Sequence, residues 1–254
     1  MTFEGWIAAL EARHLAELRF PEVTRALRAL SADYVQRRHR VGGAALDGRG
    51  KRAAFALFYG PLHFIVIEEV SRSLGIDPAT VTHVIDLGCG TGAAGAAIAS
   101  ATGARPLVTG TDRQAWTLTE AAATYRWFAL RHRVIRSDVS SFVREHRRAG
   151  EGHLFVAAYT INELSSDERR KLLAALIARG RAGAAVLVIE PIATRVSPWW
   201  DEWAQAWRAL GGRADTWRFA RTLPETLRKL DEAAGLDHRE QTARSIWLPA
   251  GARR

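Results

Sequence analysis

Three features of this 254-residue chain predict an α/β fold built on a parallel sheet. From residue 77 onward, short apolar runs alternate with helical stretches, as in strands joined by helical crossovers. The run Val84-Ile-Asp-Leu-Gly-Cys-Gly-Thr-Gly-Ala-Ala-Gly95 reads as a buried strand, a glycine-rich turn and the start of a helix. Acids close successive strands, Asp86 in the first and Asp112 in the second. They fall at the edge where open α/β sheets bind their ligands.

Residues 1–76 read as a helical cap in front of the sheet domain, 77–254. Trp6, Ile7, Leu10, Leu15 and Leu18 recur at helical spacing, and Pro21 restarts the chain. Val23, Leu27, Leu30 and Tyr34 mark a second helix. A third runs from about Lys51 to Leu74, broken near Pro61 and stopped at Gly75. Asp77-Pro78 turns the chain into the sheet. Helices are expected at Thr91–Ser100 and Gln114–Leu130. The second strand is Pro106–Asp112, and a short third is Arg133–Arg136. Leu154–Tyr159 and Ala184–Glu190 follow as the fourth and fifth strands. Between them lies a helix from Ser165, with Glu168 placed to complete a capping box. Leu223–Ala234 is a helix closed by Gly235, and His238–Leu248 supplies the last strands as an antiparallel hairpin.

Residues 191–222 read as an interruption of this alternation, rich in tryptophan. Ser197-Pro198 starts a helix on which Trp199, Trp203 and Trp207 fall four residues apart, with Trp200 beside them. Either the stripe packs on the core, or it forms a lid that stacks on a substrate ring.

The glycine turn admits two chemistries. Gly90-Thr-Gly92-Ala-Ala-Gly95 fits the dinucleotide fingerprint G-x-G-x-x-G. Asp86 argues against it, because a carboxylate so near the turn would repel a pyrophosphate. The same carboxylate suits an ammonium group. Asp86-x-Gly88-x-Gly90-x-Gly92 resembles the first motif of class I S-adenosylmethionine-dependent methyltransferases. The resemblance implies a Rossmann-like class I methyltransferase sheet, with S-adenosylmethionine as cofactor and no metal. It casts Asp86 and the three glycines against the methionine end and Asp112 against the ribose hydroxyls. Asp138 would accept the adenine amino group, and Tyr159 would line the cofactor from the fourth strand. Asp138 is equally suited to cap the helix that begins at Val139.

Further segments carry a narrower resemblance over roughly residues 30–191: Leu30–Tyr34, Arg52–Pro61, Ala158-Tyr-Thr-Ile-Asn-Glu-Leu164 and Val188–Pro191. They resemble the methyltransferase-like assembly proteins of the small ribosomal subunit, which implies rRNA or that subunit as partner. That family typically carries a cysteine cluster, whereas the sole cysteine here is Cys89. A small-molecule methyltransferase and a non-catalytic assembly factor therefore stay open beside the rRNA enzyme. Asn162 and Glu163 are the candidates nearest the methyl acceptor. His63 and Tyr59 could close over it from the cap. Cys89, inside the glycine loop, reads as a small filler.

Composition sets limits. One cysteine rules out an internal disulfide and fits a reducing cytoplasm. No uninterrupted apolar run reaches the ~18 residues of a membrane span. The net charge of +9 and pI near 10.6 would attract a polyanion. All but three of the 36 basic residues are arginine, which beside abundant alanine fits a genomic base bias as well as RNA binding. Arg37-Arg-His-Arg40 and Arg49-Gly-Lys-Arg52 are the basic clusters, read either as an RNA site or as solvated faces.

Overall fold

The computed structural model describes residues 2–36, 46–192 and 197–252, with backbone only at 33–36. The cluster Arg37, Arg38 and Arg40 and the side chain of Tyr34 lie outside the described residues. Among the described residues, seven strands form one sheet in the order β3-β2-β1-β4-β5-β7-β6. They are β1 (His83–Leu87), β2 (Leu107–Asp112), β3 (His132–Arg136), β4 (His153–Ala158), β5 (Ala185–Glu190), β6 (Arg213–Ala220) and β7 (Glu240–Leu248). The first five run parallel; β7 is antiparallel to β5, and β6 to β7. Strand order reverses between β1 and β4, and that reversal opens a crevice at their carboxyl ends.

Strand alternation divides the core in two. Val84, Leu154, Val156, Leu187 and Ile189 face one layer. That layer holds the cap helices α1 (Phe3–His14), α2 (Phe20–Gln36), α3 (Arg49–Ala54) and α4 (Gly60–Leu74). It also holds α5 (Ala93–Thr102), α6 (Ala115–Trp127) and α10 (Glu225–Ala234). Ile85, Leu87, Phe155, Val186 and Val188 face the other, formed by α7 (Val139–Glu145), α8 (Ser166–Arg181) and α9 (Trp200–Arg208). The helical cap shares its core with one face of the sheet: Trp6, Leu57 and Phe64 belong to the same cluster as Val84 and Val108.

Local signals account for most boundaries. Ser165 accepts from the Glu168 amide while the Glu168 carboxylate accepts from the Ser165 amide, the expected capping box. Gly75 and Gly235 end α4 and α10 in the left-handed conformation. Pro61 does not break the cap helix. One π-helical turn, Phe55–Tyr59, precedes it and absorbs the missing amide and ring clash, so the run continues to Leu74. This run, Arg49–Leu74, is long and apolar enough to cross a membrane, yet it is largely buried within the protein.

The segment 191–222 contains α9 and the edge strand β6, so it is part of the sheet domain's own framework. The final antiparallel pair is therefore β6 with β7, joined through α10, and not a hairpin within 238–248. β6 escapes sequence reading because it is a half-exposed edge: Trp217 and Phe219 turn partly inward while Arg218 and Ala220 face solvent. Trp199, Trp200, Trp203 and Trp207 are all buried against the face that carries Leu172, Leu176, Ile246 and Leu248. The stripe is core, and the lid reading is overturned. Truncating Trp203, 1% exposed, to alanine should lower stability by about 3–5 kcal/mol in denaturant titration. A loss near zero would mean that the helix does not pack as described.

Candidate active site

A cavity of about 600 Å³ opens at the carboxyl ends of β1, β2, β4 and β5 and is roofed by Phe55, Tyr59 and His63 of the cap. Asp86 anchors its floor. Its Oδ2 accepts the Tyr125 hydroxyl at 2.8 Å and the Gly95 amide at 2.9 Å. Burial pushes its carboxyl up to about 6, against the pull of those two donors. Among the described residues nothing donates to Oδ1, and Asp86 borders the cavity.

The three glycines have different reasons to be glycine. All have positive φ. A Cβ at Gly88 would fall 2.5 Å from the Thr160 side chain, and one at Gly92 would fall 2.9 Å from the Ala121 Cα. Gly92 does not line the cavity; it seats the start of α5 against α6. Gly90 faces open space under Phe55, where a Cβ would meet ring carbons only at 3.6 Å. Its amide donates to Asp112 Oδ2 at 3.1 Å, and Asp112 Oδ1 takes the Gln114 amide at 2.8 Å. Each Asp112 oxygen retains acceptor capacity beyond these bonds, and Asp112 borders the cavity.

Asp138 Oδ1 caps α7 through the Ser141 amide at 3.0 Å, and Oδ2 pairs with Arg113, which also bridges to Glu168. These bonds hold its carboxyl below the usual range despite partial burial. The structure realises its capping role, and its neighbour Val139 is the one that borders the cavity. Cys89 lines the loop with its thiol pushed up by burial and by Asp86 and Asp112, which leaves no thiolate for covalent chemistry.

Beyond β4 the chain tightens. Tyr159 adopts φ +55°, a conformation costly for an aromatic residue, and its ring stacks on His63 at 3.8 Å and 11°. Burial, helped by the nearby His238, pushes His63 down to about 3, so it is neutral. Asn162 is a brace. Its Nδ2 donates to Glu190 Oε2 at 2.8 Å, while its Oδ1 accepts Ser197 Oγ at 2.7 Å and Trp199 Nε1 at 2.9 Å. Glu163 is exposed at the cavity rim. Glu190, fully buried at the end of β5, also accepts the Ile161 and Asn162 amides. Burial nevertheless pushes it up to about 8. Tyr125, Thr160 and Glu190 escaped sequence reading. Only Glu190 carried a signal, as a third acid at the end of a strand, after Asp86 and Asp112.

Residues 73–149 match the family model described as the methyltransferase small domain. No curated protein matches the sequence significantly. Among solved structures, an O-methyltransferase family protein from Burkholderia thailandensis aligns over 96% of this chain and 71% of its own. The identity is 15% and the TM-score 0.53. A SAM-dependent methyltransferase from Agrobacterium tumefaciens aligns over 74% and 62%, at 15% identity and TM-score 0.47. Precorrin-6y C5,15-methyltransferase from Geobacter metallireducens aligns over 71% and 88%, at 9% and 0.47. The fold is that of the class I methyltransferases. The residues present fit S-adenosylmethionine: Asp112 offers paired acceptors to ribose hydroxyls, Asp86 an oxygen to an ammonium, and Gly90 an open backbone. The matched segment contributes β1, the glycine loop and β2 to this cavity, which makes it the candidate cofactor site.

Two expectations follow. Asp112→Ala should weaken S-adenosylhomocysteine binding by about 1–3 kcal/mol in titration calorimetry, because it strands two hydroxyls. NAD should not bind comparably, and tight NAD binding would refute the assignment. The second concerns pH. Glu190 has its carboxyl at about 8 in the fold against 4.5 ordinarily, so the folded chain holds an extra proton between those values. Its contribution to stability is full below that window and lost as pH rises through 8. Asp86, raised to about 6, has the same sign at lower pH. His63 and His83, lowered to about 3 and about 4 from 6.5, act oppositely and only on acidification. The melting temperature should therefore decline from neutral to mildly alkaline pH in wild type and stay flatter in Glu190→Gln. Parallel curves would place the Glu190 proton elsewhere.

Proposed function

We propose that the protein methylates a small acceptor enclosed beneath the helical cap. One observation carries this reading. The cavity is roofed, has a volume of about 600 Å³ and continues past the glycine loop into an aromatic chamber formed by Phe55, Tyr59, His63 and Tyr159. Volumes of roughly 300–1,000 Å³ are typical of small-molecule sites. The transfer is a direct displacement, to which the chain contributes proximity, orientation and exclusion of water. Asp86 and Asp112 would fix the cofactor. Glu163, at the rim, would orient the acceptor as it enters.

A second reading, a base of small-subunit rRNA flipped into the same cavity, draws on the +9 charge and on Arg49 and Arg52 of α3. Methyl transfer from labelled cofactor into fractionated cell extract separates the two. Label in low-molecular-weight material supports the first reading, and label in rRNA supports the second. Label in neither fraction, with cofactor binding intact, would leave a cofactor-binding protein without transfer activity. If RNA is the partner, affinity should fall steeply with salt, and joint replacement of Arg37, Arg38 and Arg40 should flatten that slope. Glu163→Gln should slow transfer by roughly 10²-fold or more at unchanged cofactor affinity and melting temperature. An unchanged rate would make Glu163 a structural residue.

A further inference from the structure

The cavity is also bordered by Leu236, His238 and Gln241, from the turn before β7 and its start. His238 is held in one orientation there. Its Nδ1 lies 2.5 Å from Asp231 Oδ1, and its backbone amide donates to Asp231 Oδ2 at 2.9 Å. Its ring sits edge-on to Phe58 at 5.4 Å, and the Gln241 side chain donates to its carbonyl. Asp231, on α10, is buried, with 7% of its side chain exposed, while 31% of the His238 side chain is open. In the neutral ring a carboxylate beside Nδ1 selects the tautomer with the proton there, which leaves the lone pair on Nε2. No group among the described residues bonds to Nε2. The arrangement of a buried acid, an oriented imidazole and an open ring nitrogen at a cavity wall is that of a general base.

We propose that His238 is the catalytic base of this methyltransferase, positioned by Asp231, and that the acceptor is a phenolic hydroxyl. This rests on the small-acceptor reading above and specifies its substrate class. The acceptor oxygen attacks the sulfonium methyl, a new O–C bond forms, and the C–S bond breaks with its electron pair remaining on sulfur. The O–H proton passes to His238 Nε2, and Asp231 balances the imidazolium until solvent removes the proton. An aromatic alcohol fits on two counts. The chamber walls are aromatic, lined by the His63–Tyr159 stack and Phe55. A phenol, with an ordinary pKa near 10, lies within reach of an imidazole base at neutral pH, which an aliphatic alcohol does not. The groups around His238 suit this role. His63 on α4 is neutral, Asp237 is engaged by Arg239, and Glu240 of β7 pairs with Arg218.

The test uses the full chain loaded with S-adenosylmethionine and two acceptors, phenol and 4-nitrophenol, the second largely ionised near neutral pH. Wild type should methylate both. His238→Gln should slow transfer to phenol by roughly 10²–10⁴-fold and spare 4-nitrophenol to within about tenfold, since an ionised acceptor needs no base. Asp231→Asn should slow phenol transfer and shift its pH profile while also sparing 4-nitrophenol, which a merely structural role would not do. Calorimetry with S-adenosylhomocysteine and the melting temperature confirm that each variant is folded. Equal losses on both acceptors, or no loss on phenol, would overturn His238 as base. If wild type methylates neither phenol but labels small molecules in extract, the phenolic class is wrong while the small-acceptor reading stands. If the cofactor itself fails to bind, the methyltransferase reading falls instead.

Discussion

A single buried carboxylate ties the cofactor edge together. Asp86 leaves β1 at the point where strand order reverses, and one of its oxygens holds both the start of α5, through the Gly95 amide, and α6, through the Tyr125 hydroxyl. The glycine loop hangs between these anchors. Its outer side is fixed by Asp112 through the Gly90 amide. Two acids on neighbouring parallel strands therefore define the loop before any ligand arrives. The Gly90 and Gly95 amides are spent on carboxylates and those of Cys89 and Gly92 on backbone carbonyls, which suits a cofactor carrying an ammonium and hydroxyls better than one carrying phosphates.

The same device recurs on the other side of the switch point. Glu190 at the end of β5 gathers the Ile161 and Asn162 amides and the Asn162 side chain, which in turn holds Ser197 and Trp199. The buried tryptophan helix is thereby latched to the β4 loop, and Tyr159 is held in its strained conformation with its ring on His63. Strain of this kind persists only where surrounding bonds over-determine it, and here they do. Burial dominates the charge state of both Asp86 and Glu190, because each desolvated carboxylate loses more than its donors return.

The cap completes the enclosure. Its long apolar run would read as a membrane candidate on composition, yet it packs across the sheet face, and one π turn places Phe55 and Tyr59 over the cavity. π turns occur often at functional sites because they push a side chain out of helical register. The cavity is thus made of parts distant in sequence: cap residues near 60, strand-end residues near 160 and 190, and His238 from the turn before β7.

Local chemistry along the chain was enough to identify the sheet, the glycine loop, Asp86 and Asp112, the Ser165 capping box and the glycine stops. Each of these depends on backbone preferences or on residues a few positions apart. The central parallel strands β1, β2, β4 and β5 were legible as apolar runs because both of their faces are covered, whereas β3, an exposed edge, gave a weaker run. β6 was not, since an edge strand exposed on one side carries too little apolar signal to stand out from a loop. The fate of the tryptophan stripe, the brace formed by Asn162, the reason Gly92 must be glycine and the pairing of His238 with Asp231 depend on which helix lies against which strand. Helical spacing describes one face of one element, but whether that face meets a core, a cavity or another side chain is fixed only when long-range packing brings the elements together.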